Sequence, residues 1–275
     1  MSPLLGVIHL TLRELWAKKV ILGLFGVSTL VLLAIAFALN LEIVDGTLAS
    51  IRLFGASGDV SMDLSTLVSN VQGIIAGFAY WVGILLALFA SAPLFTTLLD
   101  DGHVALLLSK PMPREYVLGG HLLAVWGAMF GLMLYLLGGV WLFLAIKTGV
   151  WTPAFLFAIP VVTAMFAVMY SVIVLVGSWM ESTAVALIFT YGAVIISLVM
   201  MGIMNILPQL SPVGRAIAVG VNTLIPSFAD VTSLVAGLAS GGTIQVGRWT
   251  PFGSSVAMGV IFYGVAFWRF GRRDF

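Results

Sequence analysis

Six long apolar runs alternate with short polar stretches along this chain, at residues 20–41, 74–98, 117–146, 155–179, 183–207 and 252–270. Each has the roughly 20 residues that a helix needs to cross a hydrocarbon layer. None shows the period-two alternation of a membrane barrel, so helices remain the only spanning elements that satisfy their own backbone in lipid. The pattern predicts an all-α integral membrane protein with six transmembrane helices in a single transmembrane domain over residues 1–275. The third run is 30 residues long, roughly 45 Å at ~1.5 Å per residue, so it must tilt or protrude.

Two segments follow other patterns. Within residues 4–19, Leu5, Ile8, Leu12, Leu15 and Trp16 fall on one helical face, with Arg13, Glu14 and Lys18 opposite. That spacing predicts an amphipathic interfacial helix before the first span. Between the fifth and sixth runs, Ser211-Pro212 reads as an N-cap and first-turn pair, and Pro226-Ser227 opens a second run that ends at Gly241-Gly242. Each run is about a dozen residues, too short to cross, which predicts a helical hairpin capping or re-entering the outer leaflet. Lys18-Lys19 and Ala36-Phe37-Ala38 imitate the flanks of a cleaved signal peptide. The 22 apolar residues between Val20 and Leu41 exceed the ~7–15 of such a peptide, so the segment reads as a retained span.

Charge orients the array. Arg13, Lys18, Lys19, Lys110, Arg114, Arg269, Arg272 and Arg273 gather on one side, and only Arg52, Lys147, Arg215 and Arg248 lie on the other. The positive-inside rule then places both termini and the 99–116 loop in the cytoplasm of a plasma (inner) membrane. The 42–73 loop, with four acids against Arg52, falls outside.

Composition agrees with burial in lipid. The chain is 61% hydrophobic and 8% charged, with a mean hydropathy of +1.16, where a soluble domain carries about 25% charged residues. A net charge of +1 excludes a strongly basic nucleic-acid binder. With no cysteine there is no disulfide, thiolate metal site or thiol nucleophile.

The spans lack the groups that energy coupling needs. None contains an acid or a lysine, and Arg269 only closes the last. A proton- or sodium-driven pump binds its ion at an intramembrane carboxylate, so energy must enter this chain from a partner. No G-x-x-x-x-G-K-[ST] loop is present to bind ATP. His9, His103 and His121 are scattered, with no H-E-x-x-H and no G-x-S-x-G. An intramembrane enzyme pairing His121 with a serine stays open as an alternative. Gly73/Gly77 and Gly127/Gly131 have the spacing of helix-contact glycines.

One polar island interrupts the apolar pattern, Leu99 to Gly120. Gly102 and Pro111 bracket about two helical turns. On a helical wheel Leu99, His103, Leu106 and Lys110 share one face, with Val104, Leu107 and Leu108 on the other. This is either a docking helix, one face embedded and one offered, or an ordinary capped connection.

The run Asp100-Asp101-Gly102-His103-Val104-Ala105-Leu106-Leu107-Leu108-Ser109-Lys110-Pro111, followed by Arg114 and Tyr116-Val117-Leu118-Gly119, resembles the signature of type-2 ATP-binding-cassette transporter permeases. In that family an acidic cluster, a Gly-Thr, a Leu-Leu-Ser-basic-Pro run and an Arg link the second and third spans. The ending Phe267-Trp268-Arg269-Phe270-Gly271-Arg272-Arg273-Asp274-Phe275 and the amphipathic Leu12-Arg13-Glu14-Leu15 are similar to the family's termini. His103 stands where Thr is common, and Gly120 where a basic residue is common, which leaves the subfamily open.

The resemblance implies a membrane subunit that dimerises, with a second copy of itself, and works with two cytoplasmic ATPase subunits. Residues 99–113 would be the coupling segment, with Leu99, Asp100, Asp101, Gly102, His103, Leu106, Lys110, Pro111 and Arg114 docking on the ATPase. ATP and magnesium would be held by that partner, and no cofactor or metal by this chain. The apolar spans suggest a lipid-like or amphiphilic cargo, or mechanical work on a partner, and the resemblance implies export. The same motor connection would also suit a non-transporting subunit that drives an extracytoplasmic partner.

Overall fold

The computed structural model describes residues 3–17, 19–44, 47–53, 56–58, 64–99, 114–241 and 246–272. Helix α1 (Pro3–Ala17) ends at Lys19, whose positive φ of 57° lets the chain turn into α2 (Val20–Ala38). α1 lies along the helical stretch Arg114–Met133 and buries Val7, Thr11 and Leu15, a four-residue repeat. The buried line is therefore not the full set expected from the sequence: Leu5 and Trp16 stay more than half exposed.

The architecture is helical, as the apolar runs predict, with one addition. Strands β1 (Leu39–Val44), β2 (Thr47–Leu53) and β3 (Ala56–Gly58) form an antiparallel meander with an irregularity between Glu42 and Ile43. The alternation Leu39-Asn40-Leu41-Glu42-Ile43 is a strand signal that adjoins the first span and was read there as its tail.

Helix α3 runs from Leu64 to Leu98, 35 residues or roughly 52 Å at ~1.5 Å per residue, far more than a ~30 Å hydrocarbon layer. It starts ten residues before the apolar run because its first turns are amphipathic, burying Leu64, Leu67, Val68 and Gln72. Helix α4 comprises Arg114–Met133, a π-helical turn Leu134–Gly138, and Gly139–Thr148. Gly149 closes it in the left-handed conformation (φ 71°), which costs glycine nothing. A 3₁₀ turn, Pro153–Phe157, opens α5 (Ala158–Met180). Helix α6 (Thr183–Asn205) is capped by Ser182 Oγ, which accepts from the Val185 N–H. Helices α7 (Pro212–Leu224) and α8 (Phe228–Ala239) follow one another with a bend of 66°, well short of the reversal that the expected hairpin requires. Ser211 Oγ accepts from the Gly214 N–H, as the N-cap signal predicts. Helix α9 (Thr250–Gly271) completes the chain.

Among the described residues five helices are long and apolar enough to cross a membrane, or up to seven if each bent pair counts as one span. Their outward faces carry large apolar side chains, among them Leu30, Ile74, Ile188 and Val260, each about two-thirds exposed or more. In water such a surface would aggregate, and lipid is the solvent it fits. The chain is a multi-pass membrane protein.

α5 is the hub, with Val162, Met165, Phe166, Met169, Tyr170 and Ile173 all buried in the main core. Close approach to it is set by single glycines. A Cβ on Gly259 of α9 would sit 3.1 Å from Val168 Cγ2 and 3.3 Å from its Cα, and one on Gly177 would sit 2.9 Å from the Phe95 ring. The Gly73/Gly77 and Gly127/Gly131 pairs make no such contact, since a Cβ at any of the four meets nothing within 4 Å. Spacing within one helix does not reveal which face its neighbour covers, and that is why these pairs were misread.

Candidate functional site

Helix α3 joins two groups of polar contacts at opposite ends of the bundle. At the end where residues 99 and 114 lie, Thr96 Oγ1 is 2.6 Å from Thr183 Oγ1 at the start of α6. Next to it, Thr97 Oγ1 donates to Glu14 Oε1 of α1 at 3.5 Å. Glu14, which the sequence places on the polar face of α1, is half-buried and engaged here. Three elements are thus tied within three residues of the polar island's start.

Of the residues expected to dock a partner, Asp100, Asp101, Gly102, His103, Leu106, Lys110 and Pro111 lie outside the described residues. Arg114 is the first residue of α4. Leu99 closes α3: its backbone N–H caps the helix on the Thr96 and Thr97 carbonyls, and its side chain is 4% exposed, packed in the core.

In mid-bundle, His121 is 1% exposed, and its Nε2 lies 3.2 Å from the Tyr170 hydroxyl of α5. Phe95 packs beside the imidazole with ring centroids 6.3 Å apart. A buried ring bonded to a tyrosine and walled by an aromatic is a structural side chain linking α4 to α5.

At the other end, a π-helical turn over Ala79–Gly83 re-aims α3. Such turns insert one residue into the helical ladder and shift the faces beyond them. Tyr80 and Trp81 consequently face α8. The Tyr80 hydroxyl donates to the Phe228 carbonyl oxygen at 2.5 Å, and the rings stack with centroids 4.6 Å apart. Trp81 meets Phe228 edge-on at 5.0 Å.

Helix α8 has no side-chain cap of its own. Its first N–H groups would be orphaned in an apolar setting. Two serines supply the acceptors from other helices: Ser197 of α6 for the Ala229 N–H and Ser255 of α9 for the Ser227 N–H, both at 2.9 Å. α3, α6 and α9 therefore all hold the start of α8. No local sequence rule points to Ser197 or Ser255, because these caps are donated across the fold.

The α4 π turn does the same for α2, bringing the Tyr135 hydroxyl 3.0 Å from Thr29 Oγ1 and its ring 5.1 Å from Phe25. Between α4, α5 and α9 a cleft of about 340 Å³ is bordered by Trp126, Phe130, Val168, Gly259, Val260 and Tyr263. Tyr263 crosses it, donating to the Ala167 carbonyl oxygen at 2.6 Å and accepting from Trp126 Nε1 at 3.3 Å. The cleft is almost wholly apolar and suits an acyl chain better than an ion.

These features belong to a multi-pass membrane component whose helices are tied to one another by polar contacts. A family model described as "ABC-2 family transporter protein" matches residues 9–275, and the chain belongs to that family, as a permease component. The resemblance carried by the polar island and the C-terminus is thereby borne out. Permeases of this family typically work with an ATP-binding subunit. No curated protein and no solved structure matches the chain.

Proposed function

We propose that this chain is the membrane-spanning permease subunit of an ATP-driven exporter of lipid-like or amphiphilic cargo. Two copies assemble with two cytoplasmic ATPase subunits, which bind ATP and magnesium. The six spans are α2, α3, α4, α5, α6 and α9, with both termini in the cytoplasm at the plasma membrane. Residues 99–113 form the coupling segment, docking on the ATPase through His103, Leu106 and Lys110.

One observation carries this reading: α3 leads directly into the coupling segment, is tied at that end to α6 and α1 by Thr96 and Thr97, and meets α8 from its midpoint outward through Tyr80 and Ser69. A helix bonded in this way passes a displacement of the coupling segment on to α8. The α7–α8 pair is then the outer gate, and the cleft beside Tyr263 a lateral entry for an acyl chain.

The test is co-purification with candidate ATP-binding-cassette subunits. Leu106→Asp puts a charge on the docking face without touching the spans. It is expected to lower the ATP hydrolysis stimulated by this chain at least tenfold, the order lost when an interface anchor is disrupted. Undiminished stimulation and undiminished ATPase capture by the variant would sink the proposal.

A further inference from the structure

A larger cavity, about 700 Å³, lies between α3, α6, α8 and the start of α9. This volume falls within the ~300–1,000 Å³ of typical ligand sites. Trp81, Leu198 and Met201 make one part of its wall apolar. Asn205, Asp230 and Arg248 make the other part polar and place a carboxylate and a guanidinium on the same cavity.

These two charges are not spent on each other. Among the described residues no ion pair joins Asp230 to Arg248, and Arg248 Nη1 only reaches the Ser233 carbonyl oxygen at 3.5 Å. Burial pushes the Asp230 carboxyl above the usual carboxylate range, the sign of an acid partly stripped of water. Beside it, Thr232 Oγ1 is buried without a hydrogen-bond partner. A half-desolvated carboxylate gains from a cation, and a guanidinium gains from a phosphate it can grip with two N–H groups. An anionic amphiphile would set its charge against Asp230, and a cationic one would set its charge against Arg248.

We infer that this cavity binds a zwitterionic amphiphile, with its ammonium at Asp230, its phosphate at Arg248, and its chain along Trp81, Leu198 and Met201. The inference deepens the export reading by naming a cargo class. Its test needs neither the ATPase nor transport, so the two proposals fail separately.

The full-length protein in a nonionic detergent is titrated with short-chain phosphatidylethanolamine and, in parallel, with phosphatidylglycerol of the same chain length, and binding is read by native mass spectrometry. Phosphatidylethanolamine is expected to bind about tenfold more tightly. Asp230→Asn and Arg248→Gln should each weaken it about tenfold, the effect of one charge-assisted contact. Leu198→Trp narrows the apolar end from a position 44% exposed, where a larger side chain leaves the fold intact, and should weaken both lipids. If the charge variants fail to fold, this variant decides, and unchanged binding by it overturns the site. Equal binding of the two lipids, a preference for the glycerol lipid lost only in Arg248→Gln, or no binding of either lipid also overturns the inference.

Discussion

Gly259→Leu should abolish the folded protein, leaving no monodisperse peak in detergent. α9 meets the rest of the bundle mainly through α5, and Gly259 sits directly against Val168 of that helix. A Cβ there already lies 3.3 Å from Val168 Cα, a backbone atom that cannot swing aside. Overpacking a well-packed site costs about 1–3 kcal/mol where side chains can adjust, and more where only backbone shifts relieve it. Parting the helices would also pull Ser255 from the Ser227 N–H and strain the Tyr263 bond to Ala167. Gly264→Leu is the control, since a Cβ there meets nothing within 4 Å. Size-exclusion chromatography of the two variants separates the outcomes. A monodisperse Gly259→Leu protein would mean that α9 is held elsewhere.

Tyr80→Ala is expected to cost about 3–5 kcal/mol, the range for emptying a buried aromatic site. The side chain is fully buried and stacked on Phe228, and its loss also removes the hydroxyl bond to the Phe228 carbonyl oxygen. Tyr80→Phe separates the two effects. It keeps the stack and removes only the hydroxyl, so its cost should fall to about 0.6–1.7 kcal/mol, the measured range of hydrogen bonds within membranes. Thermal unfolding of both variants measures this difference. Coupling is read on the same proteins. The native chain has no cysteine, so Ser233→Cys in α8 gives a single labelling site, already exposed. With the ATPase bound, ATP should change the labelling rate in the native background and change it much less with Tyr80→Phe. Equal ATP responses would show that α3 does not carry motion to α8.

Much of the helix array was legible because lipid imposes one demand, about 20 apolar residues with an internally satisfied backbone. The Ser211-Pro212 start of α7 was equally legible, since an N-cap is a contact within one turn. The early start of α3 was not, because an amphipathic extension breaks the run of apolar residues on which the span was counted. The glycine contacts were misplaced for a related reason: Gly73 and Gly77 have the right spacing, and Gly177 and Gly259 have the neighbours.

By itself the sequence determined the solvent of this protein and the class of its elements, and set the polar segment 99–120 apart from the apolar runs. Those properties are local or additive, being sums of side-chain transfer free energies and of contacts between residues a few positions apart. Tertiary structure alone decided which residues meet. It buried Leu99, bonded His121 to Tyr170, capped α8 with serines from α6 and α9, and set Asp230 and Arg248 around one cavity. Each of these depends on separate elements coming together, and two π turns direct Tyr80 and Trp81 to α8 and Tyr135 to α2. No periodicity counted along one helix contains that information, because pairing in lipid is settled by shape at the contact.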